Sequence, residues 1–136
     1  MKTYILDANI LVRFFTQDPP ALGRAATKLL EAAAMGDVDL RLDPAIVAEV
    51  VFVLTKVYRR GRSAVADALL ELIENPGLTV AASDVVRDAL KRFKSVSVDF
   101  ADALVAAIAA EQKAPIASFD EDLDKFKDVT RFEPRA

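Results

Sequence analysis

Three carboxylates in this chain are each the only charged residue within a long apolar run. They are Asp7 within 4–12, Glu49 within 45–54 and Asp102 within 100–110. Such runs indicate a buried core, where an ionised carboxylate is costly unless a cation or hydrogen-bond donors compensate it. If the fold gathers the three, each pair repels by about 4 kcal/mol at ~4 Å and an effective dielectric constant near 20. We therefore expect a positive group to join them.

The composition narrows the chemistry that such acids could perform. The chain has no histidine and no cysteine, which excludes imidazole and thiolate metal ligands and the usual general base. Only four glycines are present, and none fits a phosphate-binding Walker loop. An all-oxygen site suits Mg²⁺ or Mn²⁺, and such an ion could activate water against a phosphodiester. The residues thus favour metal-assisted hydrolysis.

The elements that must position these acids alternate between strand and helix signals. Predicted strands cover 3–6, 39–42, 78–81, 115–118 and 129–132. Predicted helices cover 10–15, 21–35, 44–60, 63–74, 83–93 and 100–112, with a helical turn at 121–126. The alternation predicts an α/β fold with a parallel sheet and helices on both faces, in one domain spanning 1–136. The ligand site of such a sheet lies at the carboxyl ends of its strands.

Each acid also has a purely structural interpretation. Asp7 ends a predicted strand but could cap the next helix, and Asp99 with Asp102 resembles a capping box. Asp120 follows a strand and has Ser118 as a neighbouring hydroxyl, yet it could cap the helical turn. Capping is the favoured interpretation of the remaining acids of that segment, which are Glu121, Asp122 and Asp124. Glu49, by contrast, lacks polar neighbours, which favours a functional role.

The ordered motifs resemble a PIN domain over nearly the whole chain. They are Leu6-Asp7-Ala8-Asn9-Ile10-Leu11, Glu49-Val50, Asp99-Phe100-Ala101-Asp102-Ala103-Leu104 and Ser118-Phe119-Asp120. The length and single-domain character are most similar to VapC toxins of prokaryotic toxin–antitoxin pairs. The resemblance implies a three-layer α/β/α fold with a central parallel sheet of about five strands. It further implies a Mg²⁺- or Mn²⁺-dependent endoribonuclease, usually a homodimer held inactive by a cognate antitoxin.

Carried over by position, the resemblance assigns roles to seven side chains. Asp7, Glu49, Asp102 and Asp120 would be the acids of the metal site. Asn9 and Ser118 would support them by hydrogen bonding, and Asp99 would be an auxiliary acid.

The charge distribution is compatible with an RNA partner. The formal net charge is −3, but if about five of the 21 acids surround a metal, roughly 16 remain against 18 bases. Lys56, Arg59, Arg60 and Arg62 form a cluster that could contact phosphates. No segment has the pattern of a membrane span or an export signal, so we expect no membrane partner and a cytoplasmic location.

Other classes of protein compete with this hypothesis. A haloacid-dehalogenase-type phosphatase needs an Asp two residues after its nucleophile, where this chain has Asn9. A receiver-type phospho-acceptor needs an acidic pair after the first strand, where Leu6 precedes Asp7. The remaining alternatives are a PIN-type RNA-processing nuclease outside any toxin system and a non-catalytic interaction module. Surplus apolar residues on two helices, Leu22, Val51, Phe52 and Tyr58, predict a dimer interface and a groove for an antitoxin peptide.

Overall fold

The computed structural model describes residues 1–136 and has the predicted α/β character, with six α-helices and five strands. In chain order the elements are β1 (Lys2–Ile5), α1 (Ala8–Thr16), α2 (Pro20–Ala34), β2 (Val38–Leu42), α3 (Pro44–Phe52), a π-helical segment (Val53–Val57), α4 (Arg62–Ile73), β3 (Leu78–Val80), α5 (Ser83–Ser95), α6 (Phe100–Gln112), β4 (Ile116–Ala117), a 3₁₀ segment (Glu121–Lys125) and β5 (Arg131–Phe132). The chain divides into two compact units, Met1–Ala82 and Ser83–Ala136. The single domain expected over 1–136 stays a prediction.

The first unit contains a three-stranded parallel sheet in the order β1-β2-β3. Tyr4 of β1 lies opposite Leu40 of β2, and Leu40 in turn lies opposite Leu78 of β3. Parallel neighbouring strands require crossover connections. Here α1 and α2 connect β1 to β2, and α3 and α4 connect β2 to β3. The carboxyl ends of β1 and β2 therefore lie at the same edge of the sheet, which places Asp7 and Asp43 there.

In the core of the first unit, α1 packs against α2 and α3. The central strand of the sheet, β2, packs against α2. The largest fully buried side chains of this core are Leu11, Leu40, Leu42, Val47, Val50, Val51, Leu54, Val65 and Leu69. Val51 is thus a core residue and not part of an interface surplus. Leu22 and Phe52 are 52% and 59% exposed and remain available to a partner.

The helix that begins at Pro44 ends earlier than its apolar pattern predicts. Asp43 is its N-cap, since its Oδ1 accepts from the Ala45 N–H at 2.9 Å. After Val57 the chain leaves the helical conformation, and Arg59 adopts a left-handed φ of 55°. The next helix begins at Arg62, one residue before its predicted start, and Gly61 is its N-cap.

The second unit packs α5 against α6 and adds a two-stranded parallel sheet of β4 and β5. The rings of Phe93 and Phe100 meet edge to face across the two helices, with centroids 5.8 Å apart. The five strands thus form a three-stranded and a two-stranded sheet instead of one continuous sheet. Both β4 and β5 are only two residues long, and they pair only with each other.

Candidate metal centre

The candidate centre is built around Asp102, in the first turn of α6. Phe100, Ala103, Ala106 and Ala107 of this helix are buried, because small and aromatic side chains on one face pack into the unit. Asp102 lies at the border of that face and is half-buried. An acid in the first turn is favoured by the helix dipole, but partial burial makes its ionisation less favourable.

A second group of acids lies on the segment Ser118–Asp124, which we call the acid loop. The Asp120 N–H donates to the Ser118 Oγ at 2.9 Å, and the Asp120 Oδ1 accepts from the Asp122 N–H at 2.9 Å. Asp120 is thereby the N-cap of the 3₁₀ segment, as its structural interpretation predicted. The two successive turns bring the carboxylates of Asp120 and Asp122 close to Asp102.

Asp102, Asp120 and Asp122 each offer a carboxylate oxygen, and these oxygens all lie within 4.8 Å of one another. Burial raises the pKa of Asp102, and the charges of Asp120, Asp99 and Asp122 raise it further. Three acids at this separation are mutually repulsive, and a cation among them would relieve the repulsion. The Lys125 Nζ lies 3.4 Å from the Asp122 Oδ1 and supplies part of that positive charge from the rim.

The donor set fits a hard divalent cation. All three groups are carboxylates, which are the ligands that Mg²⁺ and Mn²⁺ prefer, and the chain offers no imidazole or thiolate to attract softer metals. Asp120 and Asp122 are exposed, so water can reach their carboxylate oxygens. This mixture of a half-buried acid and two accessible acids suits an ion that keeps several waters.

The structure brings together Asp102 and Asp120, both predicted for the site, and adds Asp122. Sequence reasoning missed Asp122 because an acid beside a short helical segment is usually a cap. The signal lies in the spacing Asp120-Glu121-Asp122, since an Asx turn at Asp120 places its carboxylate beside the backbone of Asp122. Glu121 between them is exposed and does not join the cluster.

Asp7, Asn9 and Glu49 belong to the first unit, and their part in the site stays a prediction. Asp7 is the N-cap of α1 and accepts from the Ala8 N–H at 2.8 Å, so its capping interpretation also applies. All three residues are exposed. The expectation that isolated carboxylates would be buried is wrong, since the structure has no buried polar or charged residue. Asp7 and Glu49 lie on the solvent side of their helices, and Asp102 is half-buried.

The supporting residues of the second unit have distinct positions. Ser118 orders the acid loop through its hydroxyl, as described above. Asp99 occupies the N-cap position of α6, but its side chain makes no capping hydrogen bond, so the predicted capping box is wrong. The Asp99 charge contributes to the raised pKa of Asp102, and the auxiliary role of Asp99 stays a prediction.

The basic cluster of the first unit is only partly open to solvent. Lys56, Arg59 and Arg60 are exposed, whereas Arg62 is half-buried at the start of α4. The Arg60 guanidinium donates to the Phe15 carbonyl at 3.1 Å, which commits one of its N–H groups to the fold. Lys56 and Arg59 are therefore the better candidates for phosphate contacts.

Comparison with known families identifies the fold. The PIN domain family matches residues 4–129, so the chain belongs to the PIN-domain family. PIN domains are generally metal-dependent nucleases, and the match extends over both compact units. No curated protein sequence matches the chain significantly. None of its helices is both long enough and apolar enough to cross a membrane.

Proposed function

We propose that this PIN-domain protein is a Mg²⁺- or Mn²⁺-dependent endoribonuclease and the toxin of a toxin–antitoxin pair. The observation that carries the proposal is the cluster of Asp102, Asp120 and Asp122, whose carboxylate oxygens lie within 4.8 Å of one another in a chain of this family. Each acid has a structural explanation singly, and what supports a shared cation is that the three converge in a chain of a family of metal-dependent nucleases.

The residues that would hold the ion are Asp102, Asp120 and Asp122, with Asp7 and Glu49 as further ligands or holders of its waters. A bound divalent ion lowers the pKa of water and neutralises charge on phosphate oxygens. The protein contributes fixed acceptors: the Asx turn and the Ser118 hydroxyl hold Asp120, and the first turn of α6 holds Asp102. Fixed acceptors orient a water nucleophile without a histidine base.

RNA is the proposed substrate, and the basic cluster is its proposed phosphate contact. Lys56 lies in the π-helical segment Val53–Val57 and Arg59 in the loop that follows it; both are exposed, and their charges would offset the negative net charge of the protein. Arg60 and Arg62 would add to the local positive potential while also serving the fold.

The proposed antitoxin contact is the groove between α1 and α2. A cavity of about 300 Å³ lies there, and Leu22, Ile10 and Leu29 give it an apolar lining with Arg13 and Asn9 as polar groups. An amphipathic peptide could place its apolar side in such a groove. The exposed Phe52 on α3 is a candidate for the proposed homodimer interface.

A nuclease assay on the purified protein tests the enzymatic proposal. We expect cleavage of single-stranded RNA with Mg²⁺ or Mn²⁺, little activity with Zn²⁺ and none in excess EDTA. Full activity in excess EDTA would overturn the metal mechanism. Absence of cleavage with every metal, despite Mn²⁺ binding, would favour the non-catalytic interaction module.

The toxin assignment has an independent test. We expect a small open reading frame immediately upstream of the gene, whose product co-purifies with this protein and suppresses its nuclease activity. Sequencing of RNA ends after controlled expression would identify the RNA that is cut. An active nuclease with no such neighbour and no effect on growth would instead indicate a processing enzyme.

A further inference from the structure

One arginine clamps the acid loop at both of its ends. Arg131 lies on β5, and its side chain is only 13% exposed. Its Nη1 donates to the Ser118 carbonyl at 3.1 Å, where the loop begins. Its Nε and Nη2 donate to the two carboxylate oxygens of Asp124 at 3.0 and 3.1 Å, where the loop ends.

The clamp is well suited to fixing a loop. A guanidinium that binds both oxygens of a carboxylate has a defined plane and direction, unlike a single point contact. Nη1 also donates to the Glu133 Oε1 at 2.9 Å, so a second carboxylate binds the same guanidinium. The pairing of β4 with β5 sets Arg131 opposite Ile116, which brings it beside the loop that follows β4.

The position of the clamp bears directly on the acid cluster. Between the clamped ends, the loop is ordered by the hydrogen bonds from Asp120 to Ser118 and from Asp122 to Asp120. A shift of the Ser118 backbone would move the hydroxyl that Asp120 contacts, and a shift of Asp124 would move the 3₁₀ segment that carries Asp122. Two of the three clustered carboxylates therefore depend on the loop ends that Arg131 holds.

We propose that Arg131 is a positioning residue that holds the acid loop so that Asp120 and Asp122 converge with Asp102 on a divalent cation. This inference rests on the proposed metal site. Arg131 itself is a cation, so its charge alone opposes binding of a second cation nearby. Positioning and electrostatics thus predict opposite effects when the arginine is neutralised, which makes the inference testable by metal binding alone.

The experiment is a calorimetric titration of the full-length protein with Mn²⁺, compared with Arg131→Gln. We expect Arg131→Gln to weaken Mn²⁺ binding by about 10-fold or more, the range typical of residues that orient metal ligands. Unchanged or tighter binding would overturn the inference, because it would show that only the charge of Arg131 reaches the site. No Mn²⁺ binding by the unaltered protein would overturn the proposed function as well.

Arg92→Gln is the matched control for a general loss of stability. Arg92 is 12% exposed and pairs with Asp88 and Asp128 in the same unit, but it contacts neither Ser118 nor Asp124. We expect the two variants to lower the melting temperature comparably, while only Arg131→Gln weakens Mn²⁺ binding. Equal weakening in both variants would show a general structural effect and overturn the positioning role.

Arg131→Lys keeps the charge and covers the case in which Arg131→Gln does not fold. An ammonium cannot span the Ser118 carbonyl and both oxygens of Asp124 at once, so we expect Mn²⁺ binding weaker than in the unaltered protein. Because the charge is constant, any loss reports geometry. Wild-type affinity in Arg131→Lys would overturn the inference.

Discussion

At the scale of single residues, the acid cluster should make ionised Asp102 unfavourable for the stability of the metal-free protein. The half-burial of Asp102 and the charges of Asp120, Asp99 and Asp122 raise its pKa, so ionised Asp102 opposes folding when no metal is bound. We expect metal-free Asp102→Asn to be as stable as the unaltered protein or up to about 1 kcal/mol more stable. Thermal melts in excess EDTA at neutral pH measure this.

The same variant should lose cleavage by more than about 100-fold, because a direct ligand matters more than a residue that only orients ligands. Glu121→Gln is the matched control: it removes one negative charge from the same loop neighbourhood but lies outside the cluster. We expect it to retain activity. A loss of about 1 kcal/mol or more in metal-free Asp102→Asn would instead show that the carboxylate stabilises the fold, as a capping role requires.

The sequence pointed to Asp102 as the only charged residue in an apolar helix and to Asp120 as an acid that follows a strand. Asp122 was not predictable in the same way, since its place depends on a turn made by the Asp120 side chain. Burial was also mispredicted. Glu49 has apolar neighbours along the chain, yet it lies on the solvent side of α3 while Val47, Val50 and Val51 fill the core.

At the scale of elements, the turn before β3 depends on a close backbone approach. A Cβ at Gly77 would lie 2.0 Å from the Ala33 carbonyl oxygen, which no backbone atom can accommodate without moving. We expect Gly77→Ala to destabilise the protein by about 2 kcal/mol or more, because α2 and the turn must separate. Denaturant unfolding measures the loss.

Gly61→Ala is the comparison for that variant. Gly61 has an ordinary φ of −67°, and a Cβ there meets nothing within 4 Å. Its substitution should change stability by less than about 1 kcal/mol, the scale of an N-cap preference. Similar losses in both variants would mean that the close approach to Ala33 is not what makes Gly77 important.

The ion pair between Arg92 and Asp128 joins α5 to the segment before β5, and it should make stability depend on pH. Arg92 lowers the pKa of Asp128, so the pair stabilises the fold above the unfolded pKa of about 4 and loses its effect as pH falls through the lower folded value. Asp128 is 57% exposed, so the contribution is about 1 kcal/mol or less.

We therefore expect Asp128→Asn to melt at most about 4 °C below the unaltered protein at pH 6 in metal-free buffer. The difference should shrink as pH falls from about 4 to about 2. Asp37→Asn is the control, because Asp37 is exposed and forms no salt bridge. A difference that stays constant over the whole pH range would show that the loss arises from packing and not from the charge of Asp128.

Alternating patterns predicted the existence and order of nearly all elements, since apolar periodicity and Pro or Gly breaks are local signals. The end of the helix near Val57 was less predictable. The sequence stays compatible with helix to Arg60, but Arg59 takes a left-handed conformation that its residue type does not favour. Tertiary contacts, including the bond from Arg60 to the Phe15 carbonyl, fix that exit.

At the scale of the whole molecule, the sequence predicted the class of fold better than the division of its strands. Strand and helix alternation predicts parallel pairing, and every observed pair is parallel. The division into sheets of three and two strands depends on which backbones meet across long separations in sequence. Strands as short as β4 and β5, with two residues each, have too little local sequence pattern to indicate which strands they pair with.

The net charge of −3 makes RNA binding depend on where the positive charges lie. We expect the double variant Lys56→Gln/Arg59→Gln to bind single-stranded RNA more weakly and with a flatter dependence on salt, by about 0.7 in log–log slope per lost phosphate contact. Both residues are exposed, so folding and Mn²⁺ binding should be retained.

Lys28→Gln/Lys91→Gln is the control, since it changes the net charge equally at two other exposed positions. Equal weakening in the two double variants across a salt titration would show that RNA responds to total charge and that the cluster is ordinary solvated surface.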